Sequence, residues 1–172
     1  SLASEKYSPL DEINSSNLDE LTIVWRWNSP DNALSAFQNT AFEATPLMVD
    51  GVLYTSTSFS QVAAINASDG TSIWTYDPQA YKYARPPNNG FLHRGVSYIE
   101  GRPGKFIHMP TGDGRLISLN AISGEPVSQF GVLSNGVVDL LEGVPRLNES
   151  TMRLDDAHDQ PDVPDFAGVV SQ

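Results

Sequence analysis

A four-strand pattern occurs twice along this chain, and no other feature limits the fold so strongly. The first copy runs through residues 46–49, 52–57, 61–66 and 72–77, short stretches rich in β-branched and aromatic side chains. Asp50-Gly51 separates the first two and suits a type I′ hairpin turn, because glycine tolerates positive φ. Ala67-Ser68-Asp69-Gly70-Thr71 turns the chain between the last two. The second copy predicts strands over 94–99, 105–109, 115–120 and, more weakly, 126–130. Ala64-Ile65-Asn66-Ala67-Ser68-Asp69-Gly70 aligns with Ser118-Leu119-Asn120-Ala121-Ile122-Ser123-Gly124, placing Asn on Asn, Ala on Ala and Gly on Gly. The shift from Gly70 to Gly124 is 54 residues, and Trp25 lies 49 residues before Trp74. Four short strands per repeat, at a period near fifty, mark a β-propeller blade. Helical stretches long enough for a parallel α/β sheet are absent.

The expected fold is therefore all-β, a partial β-propeller of about two four-stranded blades plus one strand. Residues 1–21 read as a polar lead-in, with one helical turn where Ser16 stands three residues ahead of Asp19 as a cap. Residues 22–130 hold the blades: a lone strand at 22–27, a blade at 45–77 and a blade at 94–130. Residues 131–172 read as an acidic loop excursion leading to a further blade. Asp155, Asp156, Asp159, Asp162 and Asp165 cluster there, without the glycine or twelfth-position Glu of an EF-hand, and His158 among them reads as solvent-facing. Propellers close with about 4 to 8 blades, so the 172 residues are expected to be an amino-terminal part of a longer protein, and Ser1 a cut end.

Composition narrows the function. The net charge of −11 argues against a surface that tracks nucleic-acid phosphates. With no cysteine, structural disulfides and thiolate metal sites are excluded. No apolar run approaches the roughly 20 residues that span a bilayer. Within the repeats, Glu43 and Arg94 stand 51 residues apart at the entry to successive blades. First strands of blades line a propeller's central channel, so the two charges should meet near its axis. On these grounds alone the pair is either an inter-blade salt bridge or part of a ligand site.

Several segments in order carry a family resemblance. They are Tyr7-Ser8-Pro9-Leu10-Asp11-Glu12-Ile13-Asn14, then Ala44-Thr45-Pro46-Leu47-Met48-Val49-Asp50-Gly51, then His93-Arg94-Gly95-Val96-Ser97-Tyr98, then Thr111-Gly112-Asp113-Gly114-Arg115-Leu116-Ile117-Ser118-Leu119-Asn120-Ala121. Ala64 to Trp74 also fits the blade pattern A-x-(D/N)-x-x-x-G-x-x-x-W. Over residues 7–143 the chain resembles the dehydrogenases that use pyrroloquinoline quinone (PQQ), in their glucose and alcohol dehydrogenase branch.

That resemblance implies an eight-bladed quinoprotein propeller in the bacterial periplasm, soluble or anchored to a membrane through other regions. It implies oxidation of a small alcohol or a sugar hydroxyl, with ubiquinone or a cytochrome as electron acceptor. PQQ is a tricarboxylate. The resemblance implies that Arg94 and Glu43 contact it; His93, beside Arg94, either edges the quinone pocket as a further contact or only packs in the channel. The catalytic Asp and the calcium ligands would lie in later blades, so no catalytic or metal residue is expected here. Trp25, Trp74 and Phe130 are expected to be packing positions, and His108 a packed strand residue. Ser128 occupies the second blade's expected Trp position. One departure concerns the residues before Arg94: many alcohol-oxidising relatives carry a Cys pair there, and this chain has Asn88-Asn89-Gly90-Phe91-Leu92-His93 instead. This points towards the glucose-dehydrogenase-like members. The other reading is a non-catalytic propeller that serves as a protein-binding scaffold, which needs no charges in its channel.

Overall fold

The computed structural model describes residues 10–34, 40–83, 91–131 and 133–142, and the backbone of 146–148 and 153–155. In chain order the strands are β1 Thr40–Phe42, β2 Leu47–Val49, β3 Val52–Ser56, β4 Val62–Asn66, β5 Ser72–Tyr76, β6 Phe91–His93, β7 Ser97–Gly101, β8 Gly104–Pro110, β9 Arg115–Asn120, β10 Val137–Asp139, β11 Arg146–Asn148 and β12 Arg153–Asp155. Two antiparallel meanders, β2-β3-β4-β5 and β10-β9-β8-β7, are the two expected blades. A parallel pair, β1 with β6, and a separate hairpin, β11 with β12, complete the described sheets.

Local sequence accounts for the meanders. Val49 pairs with Val52 across a two-residue turn in which Asp50 and Gly51 have φ of 48° and 80°. Positive φ at both central positions is the type I′ geometry the dipeptide suits. The core lies between the two sheets. Tyr54, Val62 and Ala64 of the first blade pack on Ile107, Met109, Ile117, Leu119 and Ala121 of the second. Ala64 on β4 is completely buried in this cluster, and its small side chain lets the sheets come close.

A Trp clamps each blade to its neighbour. Trp74 donates Nε1–H to the Ala121 carbonyl at 3.0 Å, and Trp25 does the same to Ala67 at 3.0 Å. Beneath each indole lies a glycine in the left-handed region, Gly124 (φ 74°) and Gly70 (φ 75°). A Cβ there would come within 2.6 Å and 2.5 Å of the ring, so the turn accepts only glycine. Phe130 also packs, against His108 at a centroid distance of 5.2 Å.

The structure corrects several boundaries. Residues 22–27 form no strand among the described residues; Trp25 and Trp27 instead turn their indole N–H groups onto the Ala67 carbonyl and Ser72 Oγ. The strand expected over 126–130 shrinks to one bridge, Leu119 with Pro126. The chain leaves the sheet after Val127, closes a loop through a hydrogen bond from Gly136 to Phe130, and returns as β10 against Arg115, Leu116 and Ile117. The tail expected to be loop therefore contains β10, β11 and β12. The first-strand segment expected from Arg94 starts at Ser97, because Gly95 (φ 144°) bends the chain between β6 and β7. In the lead-in, the short 3-10 turn Leu18–Glu20 has Asn17, not Ser16, at its start, with no side-chain cap. Asp156, Asp159, Asp162, Asp165 and His158 lie outside the described residues. Among the described residues, no helix is long and apolar enough to cross a membrane.

Candidate cofactor site

The charged pair is built by the parallel strands. β1 and β6 run in the register Thr40 with Phe91, Ala41 with Leu92 and Phe42 with His93, so the next residues on the two chains are Glu43 and Arg94. Two residues beyond Glu43, the Thr45 N–H donates to the Arg94 carbonyl at 3.1 Å. Gly95 must sit close here, since a Cβ would come within 3.3 Å of the Thr45 carbonyl. Arg94 Nη2 lies 3.5 Å from Glu43 Oε2, with the side chains 79% and 47% exposed. That separation exceeds the roughly 2.7–2.9 Å of a charge-assisted hydrogen bond, and a pair this solvated contributes at most about 1 kcal/mol. The guanidinium fork is thus aimed outward with donors to spare, on a backbone held from both sides.

His93 stands behind the pair. It is buried, with Nε2 2.6 Å from the Pro110 carbonyl and Nδ1 2.7 Å from Ser56 Oγ. A carbonyl only accepts, so Nε2 carries the proton; Nδ1 then accepts from the Ser56 hydroxyl and from the Gly95 N–H at 3.2 Å. Burial pushes the His93 pKa below its usual value, against the opposing effect of the Pro110 bond, and the neutral tautomer is the one this arrangement holds. The ring joins β3, the end of β8 and the bend after Arg94. Both nitrogens are committed within the chain, which makes it a support for Arg94.

The loop after β3 ties the site together. Thr55, Ser56, Thr57, Ser58, Ser60 and Gln61 are all buried, and each of their side chains has a hydrogen-bond partner. Ser58 Oγ donates to the Ala41 carbonyl at 2.9 Å, and Gln61 Nε2 to Asp31 at 2.9 Å. Phe59 stacks near Phe91, the first residue of β6, at 4.9 Å, and near Tyr81 at 5.7 Å. The Tyr81 hydroxyl, buried and donating to Asp77, has its pKa pushed up to about 12. Arg115 braces the next connection, pairing with Asp113 at 2.6 Å and donating to the Pro78 carbonyl at 2.8 Å.

The structure brings together Glu43, Arg94 and His93, the residues singled out in the sequence; neither the parallel strands nor the serines were foreseen there. The signal for the strands was present: Ala41-Phe42-Glu43 and Leu92-His93-Arg94 share the 51-residue offset. Among the described residues no group of three or more acidic or histidine side chains converges as a metal site, so calcium is assigned to no residue here.

Comparison with known proteins places these features in a family. The profile described as glucose/ethanol/alcohol dehydrogenase, beta-propeller domain, matches residues 1–160. The chain is 37% identical over 131 residues to the quinohemoprotein alcohol dehydrogenase of Comamonas testosteroni, covering 73% of this chain and 16% of that protein. It is 33% identical over 156 residues to the quinoprotein glucose dehydrogenase of Gluconobacter oxydans, covering 80% and 18%. The crystal structure of the Comamonas testosteroni quinohemoprotein alcohol dehydrogenase superposes with a TM-score of 0.61 at 33% identity, over 81% of this chain and 18% of that one. The chain belongs to this PQQ family of β-propeller dehydrogenases. It spans less than a fifth of the length of these relatives.

Proposed function

We propose that this chain forms one wall of the PQQ pocket in a periplasmic quinoprotein dehydrogenase that oxidises an alcohol or a sugar hydroxyl, with a quinone or a cytochrome as electron acceptor. The observation that carries the reading is the outward-facing Arg94 fork beside Glu43, at matched register on two adjacent strands. The donor set fits the group: a carboxylate of PQQ matches a guanidinium, which gives two parallel hydrogen bonds to it. Glu43 keeps the guanidinium turned towards the site and would accept from a protonated ring nitrogen of bound PQQ. His93 holds its proton on Nε2 and fixes the bend that carries Arg94. Bound PQQ would supply the two-electron acceptor, and a calcium ion held by residues elsewhere would polarise it. The Cys-free sequence ahead of Arg94 supports the glucose-dehydrogenase-like side of the family.

The test is a titration of the intact protein with PQQ, followed by quinone absorbance. Arg94→Ala is expected to weaken binding about 10- to 100-fold, the worth of a charged hydrogen bond. Arg94→Lys keeps the charge and loses the fork, and should fall between. Undiminished binding by Arg94→Ala would refute the assignment.

A further inference from the structure

We propose that Ser56 and Ser58 are positioning residues for the Glu43–Arg94 pair. The inference rests on the reading of that pair as the PQQ contact. The two serines are two residues apart, and their hydroxyls reach the two different parallel strands. Ser58 Oγ donates to the carbonyl of Ala41 on β1, at 2.9 Å, two residues before Glu43. Ser56 Oγ donates to Nδ1 of His93 on β6, at 2.7 Å, one residue before Arg94. Both serines are buried, Ser56 completely, so each bond is made out of water, and leaving either partner unsatisfied carries a desolvation cost.

The consequence is geometric. β1 and β6 are three residues each and, among the described residues, pair only with one another, so their own ladder is too short to fix them relative to the blades. The serine loop, which joins β3 to β4 of the first blade, supplies that reference. It holds β1 by a backbone carbonyl and β6 by an imidazole that is itself bonded to Pro110 on the second blade. The backbones of Glu43 and Arg94 are pinned while their side chains stay open to a ligand. A backbone held this way loses little conformational freedom when the side chains bind an anion.

The experiment is a double-mutant cycle in the intact protein, reading PQQ affinity by absorbance titration together with thermal unfolding. Ser56→Ala and Ser58→Ala should each weaken PQQ binding about five- to tenfold. Ser58→Thr, which keeps the hydroxyl, should bind close to the wild-type level. In a background carrying both R94A and E43Q neither serine substitution should weaken binding further, because each acts through the placement of Arg94 and Glu43. Equal losses in both backgrounds would mean that the serines only support the fold, and would overturn the proposal. Wild-type affinity in both serine variants, with R94A impaired, would overturn it too. Wild-type affinity in R94A would instead bring down the cofactor reading itself, and the serine proposal with it.

Discussion

His93 shows how one side chain settles a local geometry through the placement of a proton. Its neutral form is the one that fits: Nε2–H faces a carbonyl and Nδ1 faces two donors. Protonation would set a second N–H against the Gly95 N–H. Its pKa is lowered below 6.5 by burial, and that of His108 is lowered for the same reason. Below pH 6.5 the unfolded chain therefore binds more protons than the folded one, so stability is complete above that pH and declines beneath it. Denaturant unfolding at about pH 7.5 and about pH 5.5, a window above the carboxylate range, should find the protein less stable at the lower pH. His93→Asn should shrink that difference, leaving the share of His108; an unchanged difference would contradict the tautomer described. The residue itself was legible in the sequence by its place beside Arg94. Its support from Ser56 was not, because a strand pattern over 52–57 does not tell which hydroxyls are buried, and Thr55, Ser56, Thr57 and Ser58 all prove to be buried and hydrogen-bonded.

Among the elements, the turn between the last two strands of each blade was the most legible. Its Asn, Ala and Gly do different things. Asn120 Oδ1 accepts from the Ile122 N–H, the Ala121 carbonyl takes the indole proton, and Gly124 makes room for the ring. Gly51 and Gly124 share a positive φ but differ in surroundings, since nothing lies within 4 Å of a Cβ at Gly51. Gly51→Ala should therefore cost only the backbone strain, about 1 kcal/mol, whereas Gly124→Ala should cost at least twice that by displacing Trp74. Denaturant unfolding of the two variants checks the ranking, and equal losses would contradict the clamp. Short elements were the illegible ones. A three-residue strand such as β1 or β6 shows too little alternation to be told from a loop. β10 escaped because its pairing with β9 follows a glycine-turned loop that no local pattern announces.

At the scale of the whole molecule, two blades meet through a shared apolar core and carry the charged pair on the strands that precede each of them. The repeat period foretold this convergence, since positions one repeat apart occupy equivalent places in adjacent blades. The central claim is that Arg94 receives a PQQ carboxylate, and a crystal structure of the intact protein with PQQ bound tests it most directly. The account predicts two Arg94 nitrogens at about 2.7–2.9 Å from one PQQ carboxylate, with Glu43 alongside and His93 still bonded to Ser56 and Pro110. A quinone whose carboxylates are held elsewhere, with Arg94 paired to Glu43 alone, would contradict it.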